Sequence, residues 1–216
     1  MDLTPLIQKL AVSALPIILA LTLREIAHGW AARALGDRTG EQYGRLSLNP
    51  LNHIDPIGTL LLPGISLLLG GFLIGWAKPV PVDWRNFRNP RKDMALIAIA
   101  ALVSNLAMAI VWGLIFKFAA GIGATEGTWY GVTQMAKVGM GINLFIMVLN
   151  LLPLPPLDGG RVLIGVLPAK TAYKFAQIEP YSMVILLVLF FTGIIQTILY
   201  WPYALSFLGV RTLIGL

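Results

Sequence analysis

Three side chains within about one helical turn, and a fourth far along the chain, pose the chemical question. Arg24 and His28 are four residues apart, and Glu25 lies three before His28. On a helix these spacings put the side chains on one face or at its border. Histidine, glutamate and histidine in the first, second and fifth places of such a turn form a hydrolytic zinc motif, in which two imidazoles bind the metal and the carboxylate activates a metal-bound water. Here the first place is filled by Arg24. A guanidinium stays protonated and has no lone pair to donate, so it cannot act as a ligand. The chain has no cysteine, which excludes disulfides and thiolate ligands and leaves His, Asp, Glu and backbone groups. His53 is the other histidine, with Asp55 close by; a fold-back of the loop that carries them could bring either one to His28 as a substitute donor, and the distant fourth group is Asp158.

Plainer roles exist for each residue. His28 could be a hydrogen-bonded histidine inside a bundle, Glu25 the partner of a neighbouring arginine, and Asp158 the cap of the helix that follows it. For Asp158 the cap and ligand roles are compatible. Asn105 and Asn150 are amides in strongly apolar surroundings; they either satisfy a kinked backbone or help hold an unwound peptide segment.

The elements that must position these groups read as membrane helices. A first apolar stretch, residues 10–23, continues helically to about Leu35, where Gly36 and Asp37 end it. About 20 helical residues cross the hydrocarbon, so Glu25 and His28 sit within or near membrane depth. Residues 41–56 read as a short strand and turns, with an exposed strand over 43–50. Further spans are expected at about 94–118, 138–152 and 181–200, followed by a short apolar tail containing Arg211. Leu151 to Gly160 is a Pro/Gly break that must line protein or water at membrane depth, because lipid cannot satisfy its backbone. The run from Ile57 to Trp76 is long enough to span but carries several glycines and Pro63. Its glycine-rich part, 69–75, lacks the Lys-Ser/Thr ending of a phosphate loop.

Composition agrees with this reading. Of 216 residues, 57% are hydrophobic and 12% charged, far more apolar than a soluble domain, and the length suits one domain spanning residues 1–216. The net charge of +6 lies in loops between apolar blocks, without the interleaved aromatic and basic residues of a nucleic-acid surface. If the first helix runs outward to inward, every lysine and arginine except Lys9, Lys117, Lys137 and Arg211 falls on the cytoplasmic side. That assignment requires 57–76 to start and finish on the same side, as a re-entrant loop or kinked hairpin does.

The chain resembles the bacterial branch of the site-2 protease family of intramembrane zinc metalloproteases. The resemblance rests on Glu25 to Ala32, Leu35-Gly36-Asp37, Gly44 to Pro50, His53 to Thr59, Trp76 to Val82, and most specifically Asn150 to Arg161 with its Leu157-Asp158-Gly159-Gly160 core. It covers roughly residues 8–175. It implies an all-α polytopic membrane protein: a site-2 protease-like helical core with a short β or re-entrant element and a Pro/Gly-broken metal-site helix.

By the same resemblance Glu25 is the general base of peptide-bond hydrolysis, and His28 and Asp158 are ligands of one zinc ion. Position 24 is the place of the missing first ligand, and Asn105 lines the substrate cleft. His53 stands also in family members that have both motif histidines. Ala100-Ala101 replaces the Gly-Pro that relatives usually carry before Ser104-Asn105, which straightens that helix and narrows the approach for a substrate backbone. The implied partners are transmembrane or membrane-proximal protein segments and the lipid bilayer, with no nucleic acid. The implied location is the bacterial inner (plasma) membrane, with the metal motif facing the cytoplasm. For Arg24 the expectation is a bidentate pair with Asp158 that replaces the metal as a cross-link. Three functions stay open: an active protease with a rearranged site, a non-catalytic relative that binds transmembrane segments, and a small transporter that uses the buried charges as a polar path.

Overall fold

The computed structural model describes residues 4–53, 55, 61 and 78–216, with residues 4–7 and 9 described by their backbone alone. The expected re-entrant segment 57–76, with its glycine-rich run, lies outside the described residues apart from Leu61.

Helix α1, Thr4–Ala34, is the long N-terminal element anticipated from the apolar run, and Pro16 is tolerated inside it. It ends where Gly36 adopts φ +110° and the Asp37 amide folds back onto the carbonyl of Ala32. That positive φ is open to glycine and costly for a side chain.

A short helix α2, Thr39–Gln42, follows, then turns, then a 3-10 turn at Pro50–His53. No strand occurs among the described residues, so the strand expected over 43–50 is corrected to a chain of turns. The cause is local hydrogen bonding. Asp37 accepts from the amide and hydroxyl of Thr39, Ser47 Oγ accepts the Asn49 amide, and Asn49 Oδ1 accepts the Leu51 amide. Short polar side chains that satisfy nearby backbone in this way compete with a strand ladder.

Two long helices form the centre. Helix α3, Pro90–Gly121, starts with proline in its first turn and runs unbroken through Ala100-Ala101. Helix α4, Gly127–Asn150, begins well before the apolar run at 138, because Thr133, Gln134 and Lys137 do not stop a helix. Apolarity marks the membrane window, whereas hydrogen bonding sets the helix.

Ala109 and Trp112 of α3 pack on Ala136, Met140 and Leu144 of α4. Gly139 makes this possible, since a Cβ there would lie 2.4 Å from the Trp112 ring. The chain then breaks and continues as α5, Asp158–Val166, α6, Ala169–Ala176, and a 3-10 turn at Glu179–Tyr181.

The single span expected over 181–200 is two helices: α7, Ser182–Phe191, and α8, Ile194–Ile214. Gly193, at φ +75°, separates them. The expected short tail is therefore the end of a 21-residue helix, whose Val210 and Ile214 join the α3–α4 core. Four described stretches are long and apolar enough to cross a membrane: Leu10–Ala34, Pro90–Gly121, Gly127–Asn150 and Ala169–Phe191.

Candidate functional site

The charged residues converge because α1 packs against α3 and α4 while the break after α4 folds back toward α1. Asn150 is the last residue of α4 and Asp158 the first of α5. The seven residues between them form a tight reversal whose backbone packs against the start of α5, where only glycine fits. A Cβ on Gly159 would come within 2.2 Å of the Leu151 carbonyl oxygen, and one on Gly160 within 2.4 Å of the Pro155 nitrogen. Two glycines after Asp158 thus let the first turn of α5 rest on the backbone of the break, and Asp158 is thereby carried into the interior at 1% exposure.

Arg24 joins the three parts. Its Nη1 donates to Glu25 Oε1 at 2.9 Å, and its Nη2 donates to both Asp158 Oδ2 at 2.5 Å and Asn150 Oδ1 at 2.9 Å. The expected bidentate pair with Asp158 is not what forms. One guanidinium nitrogen serves Asp158 and Asn150 together, and the other is drawn to Glu25, because a second carboxylate one residue away competes for the fork.

His28 Nε2 lies 3.0 Å from Asp158 Oδ1 and therefore carries its hydrogen there, since a carboxylate only accepts. Its Nδ1 is 3.7 Å from Glu25 Oε1. The second oxygen of Glu25 accepts the backbone amide of Val80 at 3.0 Å. Both oxygens of each carboxylate are engaged, and all three residues Glu25, His28 and Asp158 are buried.

This arrangement does not fit a zinc ion. The permanently cationic Arg24 donates to Asp158 Oδ2, which sets a positive charge against the carboxylate a cation would need, and His28 Nε2 is paired with Asp158 Oδ1. Among the described residues no group of three or more His, Cys, Asp or Glu is arranged to hold a metal. His53 is buried, but its Nε2 bonds to the Ser47 carbonyl rather than to any member of the cluster.

Asn105 is also elsewhere. Its Nδ2 donates to Asn143 Oδ1 at 3.1 Å, and Asn143 Nδ2 donates to the Gly139 carbonyl. The pair ties α3 to α4 inside the bundle, with both amides buried. Asn150, by contrast, belongs to the charged cluster.

Sequence reasoning missed Asn143 and Val80. Asn143 had a signal, since it stands seven residues, or two turns, before Asn150 on the same helix, and a buried amide at this depth needs a partner. Val80 had one too. It lies between Pro79 and Pro81, which lack amide hydrogens, so its N–H is the one donor of that triplet.

Residues 12–193 match the profile of Peptidase family M50. The relative from Bacillus subtilis named "Putative zinc metalloprotease YwhC" is 39% identical over 188 residues, covering 86% of this chain and 82% of the relative. Proteins named "Putative zinc metalloprotease Rip2" are 28% identical in Mycolicibacterium smegmatis and 30% in Mycobacterium tuberculosis strain H37Rv, each covering 88% of this chain and 71% of the relative. No solved structure matches the chain.

Proposed function

Because the chain belongs to peptidase family M50, the site-2 protease-like zinc metalloproteases, we propose that it is a member of that family which binds membrane protein segments without hydrolysing them. The observation that carries this reading is the Arg24 guanidinium standing in the first ligand place, with Nη2 bonded at once to Asp158 and Asn150. It cross-links α1 to the break between α4 and α5 as a metal would, and it supplies positive charge against two buried carboxylates.

Glu25, the general base of the family reading, is held by Arg24 on one oxygen and by Val80 on the other. A base must have a lone pair directed at the proton it removes. Here each oxygen already accepts one hydrogen bond, and the cation beside the carboxylate is the Arg24 guanidinium, which cannot bind and activate a water as a metal would.

Transmembrane or membrane-proximal protein segments are the partners that suit the role, in the bilayer of a bacterial plasma membrane and with the charged cluster toward the cytoplasm. The whole chain acts as one membrane-embedded domain. A transporter path gains no support, since the charged side chains close on one another.

The test pairs the native protein with Arg24→His. Both are purified, their metal is measured, and both are incubated with a panel of transmembrane peptides. The expected result is that only the histidine variant holds about one zinc per chain and cuts, while both bind peptide. Zinc and equal cleavage in both proteins would overturn the reading.

A further inference from the structure

The segment after residue 77 lies along the C-terminal turns of α1 and runs in the same direction. Val80 bonds to Glu25, and its side chain sits where a Cβ on Gly29 would be 3.0 Å away. Asp83 bonds to Asp37, and the Asn86 carbonyl faces Gly36. Two points of attachment therefore fix this stretch, one at the charged cluster and one at the end of α1.

The second attachment is Asp37, which is 1% exposed. Its backbone is anchored to α1 through the Asp37 amide and the Ala32 carbonyl. Its Oδ1 accepts from the Thr39 amide, Thr39 Oγ1 and Asn86 Nδ2, and its Oδ2 accepts the Asp83 amide at 2.9 Å. The carboxylate is thus referenced to the helix that bears Glu25 while it grips the segment that bears Val80.

Two residues, Pro81 and Val82, separate Val80 from Asp83, and the prolines at 79 and 81 limit how that chain can bend. A grip at 83 is accordingly felt at 80. We propose that Asp37 is a positioning residue for the charged cluster, holding the 80–86 segment in the register that aims the Val80 amide at Glu25. This goes beyond the functional reading above and holds whether or not the chain cuts peptide.

Asp37→Asn separates the two halves of the grip. The amide oxygen still accepts from Thr39 and Asn86, but an NH2 group now meets the Asp83 amide, donor against donor. Hydrogen exchange of the full chain in lipid nanodiscs reads the outcome. Because residues 79 and 81 have no amide hydrogen, the Val80 amide has no exchanging neighbour on either side, and fragmentation of a peptide from this stretch separates it from those of Val82 and Asp83.

The expected result is exchange about tenfold faster or more at Val80 and Asp83, with protection in α3 and α4 unchanged. A second comparison distinguishes positioning from plain stabilisation. Glu25→Gln should accelerate Val80 exchange several-fold in the native background and add nothing in Asp37→Asn, since both changes act through one hydrogen bond. Additive effects, an unchanged Val80 amide, or equal loss of protection throughout the bundle would each overturn the proposal. Should Asp37→Asn not fold, Asn86→Ala removes one bond to the same carboxylate and decides by the same cycle. No readout here involves zinc or cleavage, so this result and that of the Arg24→His experiment stand apart.

Discussion

Arg24 is the residue on which the charge balance turns. Replacing it with leucine removes the one permanent cation and leaves Glu25 and Asp158 facing each other in the interior, a loss expected to cost about 3–5 kcal/mol. Asn150→Ala removes only the shared acceptor on Nη2 and should cost less, about 1–3 kcal/mol. Unfolding of the three proteins in one detergent should give the order native, Asn150→Ala, Arg24→Leu; equal stability of native and Arg24→Leu would show that the guanidinium is not the cross-link. Asp37 makes a prediction in pH. Burial pushes its carboxyl up, but hydrogen bonds from Thr39, Asn86 and the Asp83 and Thr39 amides outweigh that and hold it below the ordinary aspartate value. A folded-state value below the unfolded one, about 3.9, means its stabilisation is complete above that pH and is lost as pH falls through the folded value. The gap in unfolding temperature between native and Asp37→Asn should hold steady from neutral pH to about 5 and close under stronger acid.

At the scale of elements, the break after α4 is the part that tolerates least. Gly160→Ala puts a methyl group against the backbone of Leu154 and Pro155, where no flexible side chain can yield. Overpacking of this kind costs about 1–3 kcal/mol and here should also displace Asp158. Gly165→Ala meets the Cβ of Ala95 at 2.4 Å and the Arg91 carbonyl at 3.1 Å, at the opposite end of α5 from Asp158. If both variants lower the unfolding temperature but only Gly160→Ala lowers the zinc uptake of Arg24→His, the glycine pair is confirmed as the device that places Asp158. The Asn105–Asn143 bond belongs to the same scale, fastening α3 to α4 at a level where neither amide can reach water. Helix α3 runs unbroken past Ala100-Ala101 to reach this pair.

For the whole molecule, the long helices set two ends. Lys117 near the end of α3 donates to the Ile214 carbonyl at the end of α8, so both helices finish together, while α1 and the 3-10 turn at Trp84–Asn86 meet at the other end through Asp37 and Asn86. The orientation proposed above, argued from positive-inside counting, has the second end in the cytoplasm. A chain without cysteine allows a direct check. Single thiols from Arg38→Cys and Glu126→Cys, probed in intact cells with a membrane-impermeant reagent, should react only at 126. Labelling of 38 from outside would reverse the orientation.

The helix-borne Glu25 and His28, the distant Asp158-Gly159-Gly160 and the long apolar windows were legible in the sequence because each depends on spacing within one helix or on a run of like residues. The same locality made Arg24 recognisable as a permanent cation on the face that carries His28. It could not say how the guanidinium fork would divide among Glu25, Asp158 and Asn150, because two of those acceptors arrive from the far side of a reversal. Nor could it assign the Val80 amide to Glu25 or pair Asn105 with Asn143. The turns at 43–50 and the break at Gly193 escaped as well, since a β-like pattern and an apolar run say nothing of which hydrogen bonds are completed first. Chemistry that needs only neighbours along the chain was written in the residue order; chemistry that needs partners from separate helices was decided by how those helices pack.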